Sequence, residues 1–256
     1  MPATNRQDRF RLQLEWGLAR AQSSQAAVAV VVDVLSFSTS VCIAVERGMR
    51  VYPYAWKGRD AQVFAHRHHA ILAVGRREAT TEGAPIAPSL SPADLLVCPP
   101  VARLVLPSPN GSTIAAALQA AGATVMIGCL RNATATADRL ACELDRGHAV
   151  LVIAAGEHRA GDGSLRPALE DHLGAGAVLS ALVKLGYGPA LSPEASAAVA
   201  MFQAAESHLL EWMTHCASGR ELADRGFGSD VQVAAALDVS RTVPVLTDAG
   251  FGSDPG

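Results

Sequence analysis

Short runs of aliphatic and β-branched residues recur along the chain, separated by alanine- and leucine-rich segments. Ala27–Val32, Gly48–Tyr52, Ala70–Val74, Leu95–Val97, Arg103–Leu106, Thr124–Ile127 and His148–Ala154 predict strands. Thr39–Arg47, Ser112–Ala121, Ala135–Asp145 and Leu173–Lys184 predict helices between or after them. Strands that are apolar at nearly every position, alternating with helices, predict an α/β fold whose mostly parallel sheet is covered on both faces. Gly48, Gly122, Gly147 and Gly186 fall just past predicted helices, where a left-handed C-cap favours glycine.

The stretch from Arg76 to Pro100 breaks this rhythm. Its prolines (Pro85, Pro88, Pro92, Pro99, Pro100) predict a long surface excursion that folds over a site. Ser192-Pro193-Glu194 opens a long helix to about His215, with serine as N-cap and proline in the first turn. Ser229 or Asp230 caps a last helix through Leu237, and residues 247–256 read as a loose tail.

Half of the 256 residues are hydrophobic. That composition supports one α/β domain over residues 1–256, or two closely fused lobes. With 18% charged residues and a net charge of −3, the chain lacks the concentrated basic surface that nucleic-acid binding requires. The apolar runs are too short to span a bilayer, and the first twelve residues are polar, unlike a signal peptide. The five cysteines (Cys42, Cys98, Cys129, Cys142, Cys216) are scattered without CxxC spacing and read as small buried hydrophobes in a reducing cytoplasm. His66-Arg67-His68-His69 reads as a solvated helix end rather than a metal site.

The candidate chemistry lies where strands end. Val28–Val32 runs into Asp33, Leu104–Leu106 into Pro107-Ser108-Pro109-Asn110-Gly111-Ser112-Thr113, Val125–Ile127 into Cys129-Leu130-Arg131-Asn132, and Val150–Ala155 into Gly156-Glu157. In an open α/β sheet such loops line one crevice. If these strands point the same way, Asp33, Asn110, Asn132 and Glu157 converge. Ser38, Ser112 and Asn132 stand at helix starts, as ordinary N-caps or as parts of an anion site built from unpaired N–H groups. Gly111 would let backbone approach an anion closely. Asp33 follows buried valines, where an unpaired charge is expensive, so a metal-binding or catalytic role is favoured over capping. Glu170-Asp171 opens a glycine-rich helix entry and can serve its dipole or hold a hard cation such as Mg²⁺. A haloacid-dehalogenase-type site would need a second aspartate at position 35, which is Leu35. Nucleophile elbow, Walker loop and GxGxxG are all absent. Metal-assisted hydrolysis is the generic chemistry left.

Asp33-Val34-Leu35, Asn110-Gly111-Ser112, Asn132-Ala133, Ala154-Ala155-Gly156, Glu170-Asp171 before Gly174-Ala175-Gly176, Gly226-Phe227 with Asp230, and Val243-Pro244 together resemble the 2-phosphosulpholactate phosphatase family from about residue 27 to 245. The resemblance implies a three-layer α/β/α fold with a mixed, mostly parallel sheet. It implies Mg²⁺-dependent hydrolysis of 2-phosphosulpholactate to sulpholactate and phosphate, as in coenzyme M biosynthesis. It carries the family aspartate to Asp33, the acidic pair to Glu170 and Asp171, and the strand-end asparagine to Asn132. The arginine of the family's Gly-Gly-Glu-Arg segment falls on Arg77, with Arg76 in place of the glutamate. Ser36 and Ile114 stand where arginines are usual, and Arg131 or Arg166 is the expected replacement.

The expected site therefore has Asp33, Glu170 and Asp171 as metal ligands or catalytic carboxylates and Glu157 as a candidate general base. Ser38, Thr39, Asn110, Gly111, Ser112 and Asn132 hold the anion, with Arg77 and Arg131 as charge partners. The expected partner is a small phosphorylated molecule, and homo-oligomerisation is left open. The alternative is a non-catalytic small-anion binding protein on the same fold, motivated by the missing arginines.

Overall fold

The computed structural model describes residues 7–55, 59–79 and 87–253. The strands are β1 Leu12–Trp16, β2 Val28–Val32, β3 Arg50–Tyr54, β4 Ile71–Leu72, β5 Arg103–Pro107, β6 Thr124–Ile127, β7 Val150–Ala154, β8 Glu157–His158, β9 Leu165–Arg166, β10 Pro244–Thr247 and β11 Gly250–Ser253. Nine of them form one sheet in the order β1-β7-β2-β6-β10-β11-β3-β5-β4, and β8-β9 is a separate hairpin.

Every residue of β2 and β7 is buried, because both faces of the sheet are covered. Val28, Val30, Val32, Val150 and Val152 point into one core, with the helices Ala133–Asp145, Leu169–Lys184 and Pro193–Ala205. Ala29, Val31, Leu151 and Ile153 point into the other, with the helices Phe37–Glu46 and Gly111–Ala120. This is the period-two alternation of a strand buried on both sides, in a three-layer α/β/α arrangement. Each valine so buried contributes roughly 1.5–3 kcal/mol.

β1, β7, β2 and β6 run parallel, as do β3, β5 and β4. The two sets are joined through β10 and β11, and every pairing across that junction is antiparallel. The condition of one common strand direction thus holds for β2, β6 and β7 but not along the ladder to β5. The loop after β5 nevertheless reaches the end of β2.

Several expectations need correction. Leu95–Val97 is helical, as part of Pro92–Val97, where the Ser91 side chain accepts from Asp94 N and Pro92 sits in the first turn. Residues 247–253 are no tail: β11 lies inside the sheet, with Phe251 fully buried. Residues 254–256 lie outside the described residues, as does Pro85 within the excursion. The helix from Pro193 breaks at Glu206–His208 before resuming at Leu209–His215. The last helix is Gly228–Ala235, and the Asp230 side chain does not cap it. Cys142 is exposed and Cys98 half-buried, so not all the cysteines are core residues. His66 and Arg67 do end a helix, Arg59–Arg67, while the His68 ring packs on Phe64 and Tyr52. Among the described residues no helix is long and apolar enough to cross a membrane.

Candidate active site

A cleft of about 150 Å³ opens at the ends of β2 and β5, lined by Asp33, Ser36, Phe37, Ser40, Arg76, Leu90, Asn110 and Glu157 among others. Asp33 anchors it. Its backbone N–H donates to Ser38 Oγ at 2.9 Å, and Ser38 Oγ donates to Val31 O at 3.0 Å. Thr39 Oγ1 donates to Val34 O. These bonds lock the strand-to-helix turn and hold the aspartate side chain in place.

The Asp33 carboxylate lies between two helix starts. Oδ1 accepts from Phe37 N at 3.2 Å and Oδ2 from Gly111 N at 2.9 Å. Phe37 and Gly111 are the first residues of Phe37–Glu46 and Gly111–Ala120. These N–H groups, which the sequence reading gave to a substrate anion, are thus committed to an internal one. Gly111 is required here: a Cβ would lie 2.7 Å from Asp33 Oδ2 and would also strike the Phe37 ring. Burial, with the neighbouring Glu157 carboxylate second, raises Asp33 to about 7 against the pull of the two amides.

Glu157 enters on β8. Its Oε2 accepts from Asn110 Nδ2 at 3.0 Å, which joins the loop after β5 to the hairpin after β7. Burial raises its carboxyl most, Glu170 adds to the rise, and the Asn110 bond and Arg166 oppose it. Arg166 is the residue opposite Glu157 in the hairpin.

The acidic pair sits behind the cleft rather than along it. Asp171 Oδ1 accepts from Val34 N at 2.7 Å and Oδ2 from Gly156 N at 2.8 Å, so one carboxylate ties together the loops after β2 and β7. Burial, then Asp33, then Glu170 push its carboxyl well above the usual carboxylate range. Glu170 is buried, and among the described residues its Oε2 has no hydrogen-bond partner. It lies close enough to Cys216 to help burial raise that thiol to about 12. The pair reaches this depth because Gly174 and Gly176 let the helix Leu169–Lys184 approach closely. A Cβ on Gly174 would meet Val34 and Val32, and one on Gly176 would meet Ala198 O.

Asp33, Asn110 and Glu157 therefore meet in the cleft, with Gly111 beneath them. The other expected anion ligands do not line it. Ser38 and Thr39 are fully buried in the turn, and Ser112 Oγ donates to Leu106 O. Asn132 Oδ1 accepts from Cys129 N, while Nδ2 donates to Ile127 O and Thr242 O, which fixes the end of β6. Arg131 points elsewhere, with Nη1 donating to Val233 O and Nη2 3.9 Å from Glu46. The arginine of the cleft is Arg76, not Arg77. Its Nη2 donates to Ser36 Oγ, so a guanidinium does reach position 36, from another part of the chain. Arg76 Nε donates to Asp230 Oδ2 at 2.6 Å. Sequence reasoning missed both partners. Two adjacent arginines in the short helix Arg76–Ala79 are told apart only by its phase, and Asp230 resembles a helix cap.

Among the described residues no group of three or more histidine, cysteine or acidic side chains is arranged to hold a metal ion directly. The cleft supplies two carboxylates, Asp33 and Glu157, and one amide, Asn110, and Glu157 raises the Asp33 carboxyl. That donor set fits Mg²⁺, which is commonly held by one or two carboxylates with water and substrate phosphate completing the shell.

The family model described as 2-phosphosulpholactate phosphatase matches residues 17–249. No curated protein matches the chain.

Proposed function

From a chain that belongs to the 2-phosphosulpholactate phosphatase family, whose members are phosphoric monoester hydrolases, we propose the hydrolysis of 2-phosphosulpholactate to sulpholactate and phosphate in the cleft around Asp33, with Mg²⁺ as cofactor. The observation that carries this reading is the buried carboxylate of Asp33, raised to about 7 beside Glu157 in an open cleft. Two carboxylates in one cleft, one of them raising the other, set an electrostatic demand that a divalent ion meets.

Asp33 would hold Mg²⁺, with Glu157 as the second carboxylate in reach of its shell. When bound, the ion offsets charge on the phosphoryl oxygens and favours deprotonation of water. Glu157 is the general base. Burial raises its carboxyl above the usual carboxylate range, and Asn110 Nδ2 orients it. Water attacks phosphorus as the ester P–O bond breaks, its proton passes to Glu157, and the departing alkoxide oxygen takes a proton from solvent to give the sulpholactate hydroxyl. Asp171 acts at a distance: its carboxylate oxygens take Val34 N and Gly156 N and so fix the loops that carry Asp33 and Glu157. The non-catalytic alternative rested on missing cations, and Arg76 supplies one in the cleft.

The test is phosphate release from 2-phosphosulpholactate after chelation and after Mg²⁺ is restored. Turnover that needs Mg²⁺ and is lost in Asp33→Asn, with circular dichroism unchanged, supports the reading. Full turnover by Asp33→Asn would reject it.

A further inference from the structure

The cleft carries one cationic side chain among its described lining residues, Arg76, and the protein goes to some length to aim it. Asp230 is fully buried. Its Oδ2 takes Arg76 Nε, and its Oδ1 takes Ser91 Oγ and Ala93 N. One carboxylate thus gathers the helix Gly228–Ala235, the start of Pro92–Val97 and the excursion that begins at Arg76. Arg76 Nη2 donates to Ser36 Oγ, and Ser36 itself lines the cleft. Phe227 lies with its ring centroid 6.0 Å from Arg76 Cζ. A guanidinium has five N–H donors in a fixed fork, and Nε and Nη2 are the ones these two partners use. An ordinary structural ion pair would be satisfied by Asp230 alone. Here Arg76 and its partner Ser36 both line a cleft whose other charged lining residues, Asp33 and Glu157, are acids.

We infer that Arg76 binds the non-transferred oxyanion of the substrate and that Asp230 is the positioning residue that orients it. This rests on the proposed phosphatase reading. Asp33 and the hydrogen-bonded pair Asn110 and Glu157 line the part of the cleft that receives the phosphoryl end. Arg76 and Ser36 form a second group, suited to the carboxylate or sulfonate that such a substrate carries beyond its phosphate. Guanidinium forks bind either oxyanion through paired hydrogen bonds. Ser40, also at the wall, donates to Leu90 O at 3.4 Å.

The experiment compares wild type with Arg76→Lys, Asp230→Asn and the double variant Arg76→Met/Asp230→Asn, which leaves no buried charge unpaired if a single change unfolds the chain. Substrates are 2-phosphosulpholactate, 2-phospholactate (carboxylate without sulfonate) and p-nitrophenyl phosphate (no second anion). Binding of sulpholactate, lactate and inorganic phosphate is followed by calorimetry. The double variant should lose at least 100-fold in kcat/KM on 2-phosphosulpholactate, chiefly through KM, and stay within threefold on p-nitrophenyl phosphate. Asp230→Asn should raise KM about tenfold with kcat held, and Arg76→Lys should restore part of the loss. A loss shared with 2-phospholactate assigns the carboxylate, and a loss confined to 2-phosphosulpholactate assigns the sulfonate. Equal effects on all three esters, or none on any, would overturn the inference. If wild type hydrolyses none of them, the phosphatase reading fails by itself. Sulpholactate or lactate binding that weakens tenfold in the double variant, with phosphate binding unchanged, then still supports Arg76, and failure of wild type to bind either acid overturns it.

Discussion

The Asp33 carboxyl makes the metal-free protein least stable where a carboxylate is ordinarily harmless. Folding raises it from 3.8 to about 7, with burial as the first cause and Glu157 as the second. The native state therefore binds this proton more tightly than the unfolded chain. Its contribution is fully present below pH 3.8, declines as pH rises, and is lost above about pH 7. At roughly 1.4 kcal/mol per pH unit, the loss comes to about 4 kcal/mol. Asp33→Asn removes the titration but leaves one acceptor oxygen for two backbone donors, Phe37 N and Gly111 N. Leaving one of them unpaired costs about 1–3 kcal/mol. The variant should be less stable than wild type at pH 4.5 and more stable, by roughly 1–3 kcal/mol, at pH 8. Urea unfolding in the presence of a chelator reads this directly. The denaturation curves of the two proteins should cross between these pH values. A stability difference that is the same at pH 4.5 and pH 8 would refute the reasoning, because it would mean that Asp33 ionises as freely in the fold as in the unfolded chain.

Other consequences follow from named contacts. Mg²⁺ should raise the melting temperature of wild type at pH 8 and leave Asp33→Asn unchanged; equal shifts in calorimetry would place the ion elsewhere. Gly176→Ala should destabilise by about 1–3 kcal/mol, because the new methyl group meets Ala198 O and Phe202 Cβ, and this overpacking exceeds the helix-propensity gain of about 1 kcal/mol. Urea midpoints check it, and an unchanged midpoint would contradict the close approach of the helices. Glu143, lowered chiefly by Arg139 with His148 and Arg146 assisting, stabilises above its usual 4.5 and loses that effect as pH falls through its lower folded value. Glu143→Gln should therefore cost about 1 kcal/mol at pH 7 and progressively less as pH falls below 4.5, as followed by thermal unfolding.

The parts of this molecule that sequence pattern revealed are those whose burial is uniform. β2 and β7 are apolar at every position because both of their faces are covered, and the glycine-ended helices between them follow. β1 was missed because Leu12-Gln13-Leu14-Glu15-Trp16 alternates as an edge strand does, over too few residues to stand out. Leu95–Val97 carries a strand-like run that the Ser91-Pro92 start overrides. β10 and β11 depend on a tertiary slot between β6 and β3 that no local pattern encodes. In the site, Asp33 was legible because a carboxylate after five buried residues demands a reason, and Asn110 and Glu157 because each lies in the segment just after a strand, β5 and β7. Ser38, Thr39, Ser112 and Asn132 are the same residue types at equivalent places, yet their hydrogen bonds close turns instead of facing the cleft. Arg76 and Asp230 are 154 residues apart, so their pairing is a property of the fold alone.

The central claim is that hydrolysis takes place beside Asp33 and Glu157. A crystal structure with Mn²⁺ in place of Mg²⁺ and with inorganic phosphate, located by anomalous scattering, tests it most directly. The account predicts the metal on Asp33 with phosphate between it and Asn110. Metal and phosphate bound together outside this cleft would contradict it.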